Sequence, residues 1–156
     1  MAADPRSADA HYTLGAVLKD QRDWAGAVDA LRQAIALRPE EPGAHYTLGR
    51  VLQLAGEQAA ALAHLADAER LRQQAQREQE ASVWTSVGTA KLESGDPVTA
   101  LDHFRRATSL FDGYAPAHYH AGRALQRLGE HDASRAAFAR ARQLNPSLVP
   151  SGEPQE

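Results

Sequence analysis

Three histidine–tyrosine pairs are the residues of this chain best suited to chemistry: His11-Tyr12, His45-Tyr46 and His118-Tyr119. The first two lie in the same six residues, AHYTLG, at 10–15 and again at 44–49, a spacing of 34. The third lies in AHYHAG at 117–122. An imidazole can ligate a metal or move a proton near neutral pH. Tyrosine offers a broad contact face with one polar group, which suits it to a binding surface. No other chemistry is legible. The sequence has no cysteine, which excludes thiol catalysis, disulfides and cysteine zinc sites. It also lacks a glycine-rich phosphate loop, an HExxH helix and a nucleophile spaced from a base, so no enzymatic role is expected.

The elements that carry these pairs follow from the period. A weaker copy of the phrase, VWTSVG at 83–88, stands 34 residues before a copy beginning at 117. Four units of 34 result, 8–41, 42–75, 81–114 and 115–148, with QREQE at 76–80 as a helical insert. Residues 1–7 read as the tail of a preceding repeat or a flexible N-terminus, and 149–156 as a polar C-terminal tail. Each unit holds two apolar stripes at helical spacing, separated by RDW, GEQ, GDP or GEH. Gly56, Gly95 and Gly129 suit the left-handed end of a helix. Asp23, Glu57, Asp96 and Glu130 then place an acid at the next N-terminus, where the dipole favours it. Each unit is therefore a helix–turn–helix.

The columns of the frame describe the packing. Gly15, Gly49, Gly88 and Gly122 share one column of the first helix. A helical glycine costs roughly 1 kcal/mol against alanine, so four in register call for close approach of two helices. The facing helix is small where it should be, at Ala27, Ala61, Ala100 and Ser134 and at Ala34, Ala68, Ala107 and Ala141. Between them stand Leu31, Leu65, Phe104 and Phe138. Leu14, Leu48, Val87 and Ala121, with Leu18, Leu52 and Leu125, complete the stripe on the first helix.

The stretch HYTLGAVLKDQRDWAGAVDALRQAIALRP, with its small–large–small pattern and closing proline, resembles a tetratricopeptide repeat of near-consensus form. The resemblance extends over about nine-tenths of the chain. It implies an all-α fold, a right-handed superhelical solenoid of four helix–turn–helix units, and a non-catalytic scaffold that holds a protein or peptide segment in its concave groove, with no cofactor. Local departures are Arg22 for the mid-repeat glycine, and Gln73 and Asp112 for the closing proline. In such units the second, fifth, ninth and twelfth positions of the first helix face the groove. That places Tyr12, Lys19, Tyr46, Arg50, Gln53, Thr85, Thr89, Tyr119, Arg123 and Gln126 on the expected binding surface, with Leu92 at the same kind of position. Arg50 and Arg123 are suited to gripping a carboxylate through both guanidinium arms. Where the chaperone-tail clamp of this family uses lysines and asparagines, this sequence has tyrosine, threonine, alanine and arginine, which disfavours a chaperone-tail receptor.

The histidine column reads as packing. Successive copies are a helix pair apart, roughly 20 Å, so one ion cannot bridge His11, His45 and His118. His118 and His120, two apart, point to different sides of a helix. His64, His103 and His131 show no partner spacing, and no metal site is expected.

The remaining features bound the partners. The formal net charge is −3 with both signs interspersed, which argues against a nucleic-acid partner. No apolar run reaches a membrane span and no signal peptide is visible, so no direct membrane insertion is expected and a cytoplasmic location is the default. Alanine at about a fifth of the residues, and arginine well in excess of lysine, associates with a GC-rich bacterial source. DPRS at 4–7 and the ending NPSLVPSGEPQE suggest a fragment of a longer repeat protein. The run from Ala66 to Ser82 has no proline or glycine. The favoured expectation is an overlong helix that turns back near 80–82, capped by Ser82. The alternative is one long helix through 66–94 and a structural or assembly role, self-associating through residues 66–82 or the solenoid ends as an exchanged homodimer.

Overall fold

The computed structural model describes residues 7–148. Among them are seven helices and no strand: α1 (Ala8–Asp20), α2 (Trp24–Leu37), α3 (Pro42–Ala55), α4 (Gln58–Glu93), α5 (Pro97–Leu110), α6 (Ala115–Arg127) and α7 (His131–Leu144). The expected all-α helical-repeat class is what the protein adopts. The terminal tails at 1–6 and 149–156, including most of DPRS, lie outside the described residues.

Helix ends follow from local chemistry. Ser7, Asp23 and Asp96 accept hydrogen bonds from the backbone N–H groups of Ala10 (3.3 Å), Gly26 (3.0 Å) and Thr99 (3.1 Å). Pro42 and Pro97 open α3 and α5, where the missing N–H has no partner to lose. Gly56, Gly95 and Gly129 take φ of 86°, 85° and 77° at the mid-repeat turns. Arg22 adopts φ 63° in the corresponding turn of the first repeat, so that backbone shape is imposed there without a glycine.

The chain divides into two compact units, one running through Gln73 and one from Gln74. In the first, Ala27, Val28 and Leu31 of α2 pack with Leu48, Val51 and Leu52 of α3 and Ala61 of α4. In the second, Leu92 of α4, Ala100, Leu101 and Phe104 of α5, and Ala121, Ala124 and Leu125 of α6 form the corresponding core. The glycine column sets the helix approach in both. A Cβ on Gly15 would lie 2.6 Å from Leu31 Cγ, one on Gly49 2.7 Å from Leu65 Cγ, one on Gly88 2.6 Å from Phe104 Cε1 and one on Gly122 2.9 Å from Phe138. Each large residue of the second helix thus rests directly on glycine. The four small residues facing this column, Ala27, Ala61, Ala100 and Ser134, are all buried.

The junction differs from the favoured expectation. There is no turn near 80–82: α4 is one helix of 36 residues. Ser82 is not a cap but an internal helical residue whose carbonyl accepts from Ser86 Oγ at 3.0 Å. The second helix of the third repeat ends at Leu110 without a proline, because Asp112-Gly113 follows. At 73–80 there is neither proline nor glycine. Pairs one helical turn apart support the exposed surface instead: Arg70–Asp67 (3.0 Å), Arg72–Glu69 (2.8 Å), Gln73–Glu69 (2.8 Å) and Gln76–Glu80 (3.1 Å).

Candidate binding site

The first unit places five of the expected binding residues on two helices, Tyr12 and Lys19 on α1 and Tyr46, Arg50 and Gln53 on α3. Lys19 is half-buried and the other four are exposed; on α3 this follows from the 3.6-residue period, because the opposite face carries Leu48, which is buried. Tyr46 is 56% exposed, a large value for an aromatic side chain. The Tyr12 hydroxyl lies 3.4 Å from Thr47 Oγ1 and ties α1 to α3. Arg50 Nη1 donates to Gln53 Oε1 at 3.0 Å, leaving other guanidinium donors for an incoming acceptor. Lys19 pairs with Asp20 at 3.2 Å.

Two clefts flank these tyrosines in equivalent frame positions. One, of about 220 Å³, is lined by Ala8, Asp9, Tyr12, Ala34, Arg38, Glu41 and Ala44, with an Asp9–Arg38 ion pair at its edge. The other, of about 480 Å³, is lined by Pro42, Gly43, Tyr46, Leu65, Ala68, Glu69 and Arg72. Glu41, which caps α3, and Ala44 of α3 help close the first.

The second unit treats its five residues differently. Thr85 is buried and its hydroxyl donates to the Ala81 carbonyl at 2.8 Å. Thr89 is half-buried and donates to the Thr85 carbonyl at 2.9 Å. Both line a cleft of about 380 Å³ with Ser82, Ser86, Glu93, Tyr114 and His120. Tyr119 is half-buried, with its ring 5.6 Å from that of Phe138 and edge-on to His120 at 5.3 Å. Arg123 is half-buried and Gln126 exposed. Leu92 does not face a groove; it is core.

Two members of the histidine column, His45 and His118, are packed, each in its own way. His45 is buried and its Nε2–H donates to the Pro39 carbonyl at 3.1 Å. His118 makes the same reach to the Asp112 carbonyl at 2.9 Å, and its ring also faces the Asp112 carboxylate. Arg140 hydrogen-bonds that carboxylate and, with His118, holds its pKa below the usual carboxylate range. His120 lies with its ring stacked 5.7 Å from Phe104, and burial, then the charge on Arg123, lowers its pKa.

Several neighbours of these residues have no signature in sequence spacing. His64, without a partner by spacing, has its Nδ1 3.4 Å from His45 Nδ1, and Asp67 stands beside both. His103 stacks on Trp84 at 5.4 Å, and the Arg106 guanidinium lies 4.0 Å over the same indole. These side chains come from three recurring columns of the frame, which is the one signal that could have found them.

Family models described as tetratricopeptide repeat match residues 8–41 and 91–148, together more than half of the chain. The chain belongs to the tetratricopeptide repeat family. That fold is generally a non-catalytic protein-interaction module, and its members bind protein or peptide partners. A comparison with curated proteins gave no match. Among solved structures, a crystal structure of MamA is 22% identical, with 93% of this chain and 82% of that chain covered and a TM-score of 0.44. YrrB, described as a TPR protein with an unusual peptide-binding site, is 20% identical over 92% of this chain and 71% of that one, with a TM-score of 0.42.

Proposed function

We propose that this tetratricopeptide repeat protein holds an extended peptide or protein segment carrying carboxylates. The α1–α3 face, with Tyr12, Lys19, Tyr46, Arg50 and Gln53, is the main surface. Within the second unit, Thr89, Tyr119, Arg123 and Gln126 offer a contact of their own, and Thr85, which is buried, does not. The observation that carries the reading is the exposure of Tyr46 beside Arg50, one turn away on the same helix. An aromatic face left in water next to a guanidinium that spends one donor on Gln53 and keeps others fits an apolar side chain followed by a carboxylate. Panning a displayed peptide library against the protein tests this. Enriched acidic peptides should lose binding to a Tyr46→Ala, Arg50→Ala double variant. Equal binding to that variant would overturn the assignment of this surface.

A second reading, self-association, is favoured by one comparison within the frame. Val28 and Leu101 occupy the same column and are 7% and 5% exposed, each covered by the first helix of the next repeat. Leu62 occupies that column in α4 and is 57% exposed. Among the described residues, no helix within the first unit covers that column at Leu62. Val83 and Val87, on the α4 segment of the second unit, are exposed as well. A second copy offers both faces reciprocally, as in an exchanged dimer. Light scattering on the eluting protein should give twice the chain mass; a monomer at all concentrations would overturn this reading.

A further inference from the structure

We propose that His45, His64 and Asp67 form a site for a single divalent first-row transition cation, of which Zn²⁺ is the natural probe. One ligand atom from each of the three lies within 4.8 Å of the other two. His45 comes from α3, and His64 and Asp67 from adjacent turns of α4, so the packing of the two helices assembles the set.

The proton positions favour ligation. A carbonyl can only accept, so the 3.1 Å contact from His45 Nε2 to Pro39 O places the His45 proton on Nε2. Its Nδ1 therefore presents a lone pair toward His64. A backbone carbonyl holding the far nitrogen is the usual way a ligating imidazole is oriented. The Nδ1–Nδ1 separation is 3.4 Å. Two nitrogens bound to one tetrahedral zinc, each about 2.0–2.1 Å from it, stand about 3.3 Å apart. Arg70 holds Oδ1 of Asp67 at 3.0 Å, and the carboxylate keeps a second oxygen. His64 and Asp67 are half-buried, which leaves a coordination position open to water on their side.

The repeat supplies an internal control. The same three columns hold His11, Ala30 and Gln33 in the first repeat, Trp84, His103 and Arg106 in the third, and His118, Ala137 and Arg140 in the fourth. Those sets pack or stack, and none offers three metal donors. Imidazole nitrogens with a carboxylate oxygen suit Zn²⁺, Co²⁺ or Ni²⁺ rather than Ca²⁺ or Mg²⁺, which take oxygen ligands.

The test is calorimetric titration of the tag-free, metal-stripped protein with Zn²⁺, with Co²⁺ absorption reporting the ligand field. Saturable uptake of one equivalent is expected, with visible bands from a low-symmetry Co²⁺ centre. His64→Ala and the near-isosteric Asp67→Asn should each weaken binding at least about tenfold, whereas His103→Ala, in the His64 column of the next repeat, should leave it unchanged. Circular dichroism of the metal-free variants checks that they fold. Absence of saturable uptake by the unaltered protein would overturn the proposal and leave a direct His45–His64 hydrogen bond. Undiminished uptake by folded His64→Ala would overturn it too.

Discussion

At the residue scale the four helix-internal glycines govern how closely the paired helices approach. Replacing Gly49 by valine would drive a branched side chain into Leu65 and toward the Ala61 carbonyl, which lies 3.1 Å from the position of the first added carbon. Overpacking of this kind costs about 1–3 kcal/mol, and valine returns only a fraction of a kcal/mol in helix propensity. Gly49→Val should therefore lower stability by about 2 kcal/mol in urea unfolding. Gly56→Ala tests a different property of glycine. The site is open, with no atom within 4 Å, but its φ of 86° strains any side chain. A loss of about 1 kcal/mol is expected there from backbone strain alone.

Two histidines give the fold a pH dependence of definite sign. Burial lowers the pKa of His120, helped by Arg123 and opposed by Glu93. Burial and then His45 lower that of His64, with Asp67 opposing and Arg32 adding. The unfolded chain titrates near 6.5. Between the folded value and 6.5 the unfolded state binds more protons, so stability rises with pH across that window. It is complete above the unfolded value and is lost as pH falls through the folded one. The urea midpoint should drop between about pH 7.5 and about pH 5.5, and His120→Gln should flatten the drop. An unchanged slope in that variant would remove His120 from the account.

At the scale of the element, α4 combines two kinds of helix. Its ends are anchored by Ala61, Ala68, Leu71, Ala81 and Leu92, all buried, whereas residues 72–80 are all exposed. The exposed stretch is held by helix propensity and by side-chain pairs worth about 0.2–0.5 kcal/mol each. Packing, which supplies most of the stability of a protein helix, is missing there. Amide exchange should be fastest within α4 at residues 74–80 and slowest near Ala61 and Leu92, as read by mass spectrometry of peptic fragments. Uniform protection along α4 would mean that the central stretch is covered in solution.

At the scale of the whole molecule, each compact unit contains fewer than the three or more stacked repeats that independent stability ordinarily needs. If a second copy supplies the missing cover, unfolding is coupled to association and the melting temperature should rise with protein concentration. Leu62→Glu, placing a charge on the uncovered column, should abolish that rise and leave the chain monomeric. A melting temperature independent of concentration in the unaltered protein would count against the assembly.

The repeat, its helix pairs, the turns and the glycine-on-leucine approach were legible in the sequence because each depends on residues within one 34-residue unit, repeated in register. Asp23 and Asp96 cap, Gly95 and Gly129 turn, and Gly88 meets Phe104, all for reasons local to the pair. Ser82 and Thr85 were harder to read. Whether Ser82 caps or continues a helix depends on a balance between propensity over 66–82 and the packing a turn would gain, and the second quantity is tertiary. Likewise Thr85 and Leu92 hold groove positions by register, but what packs on α4 decides their burial. Tertiary structure alone brought His64 to His45 across 19 residues and left Leu62 in water where Val28 and Leu101 are covered. Periodicity specifies which face of a helix a residue occupies; only the placement of the neighbouring helices specifies what that face meets.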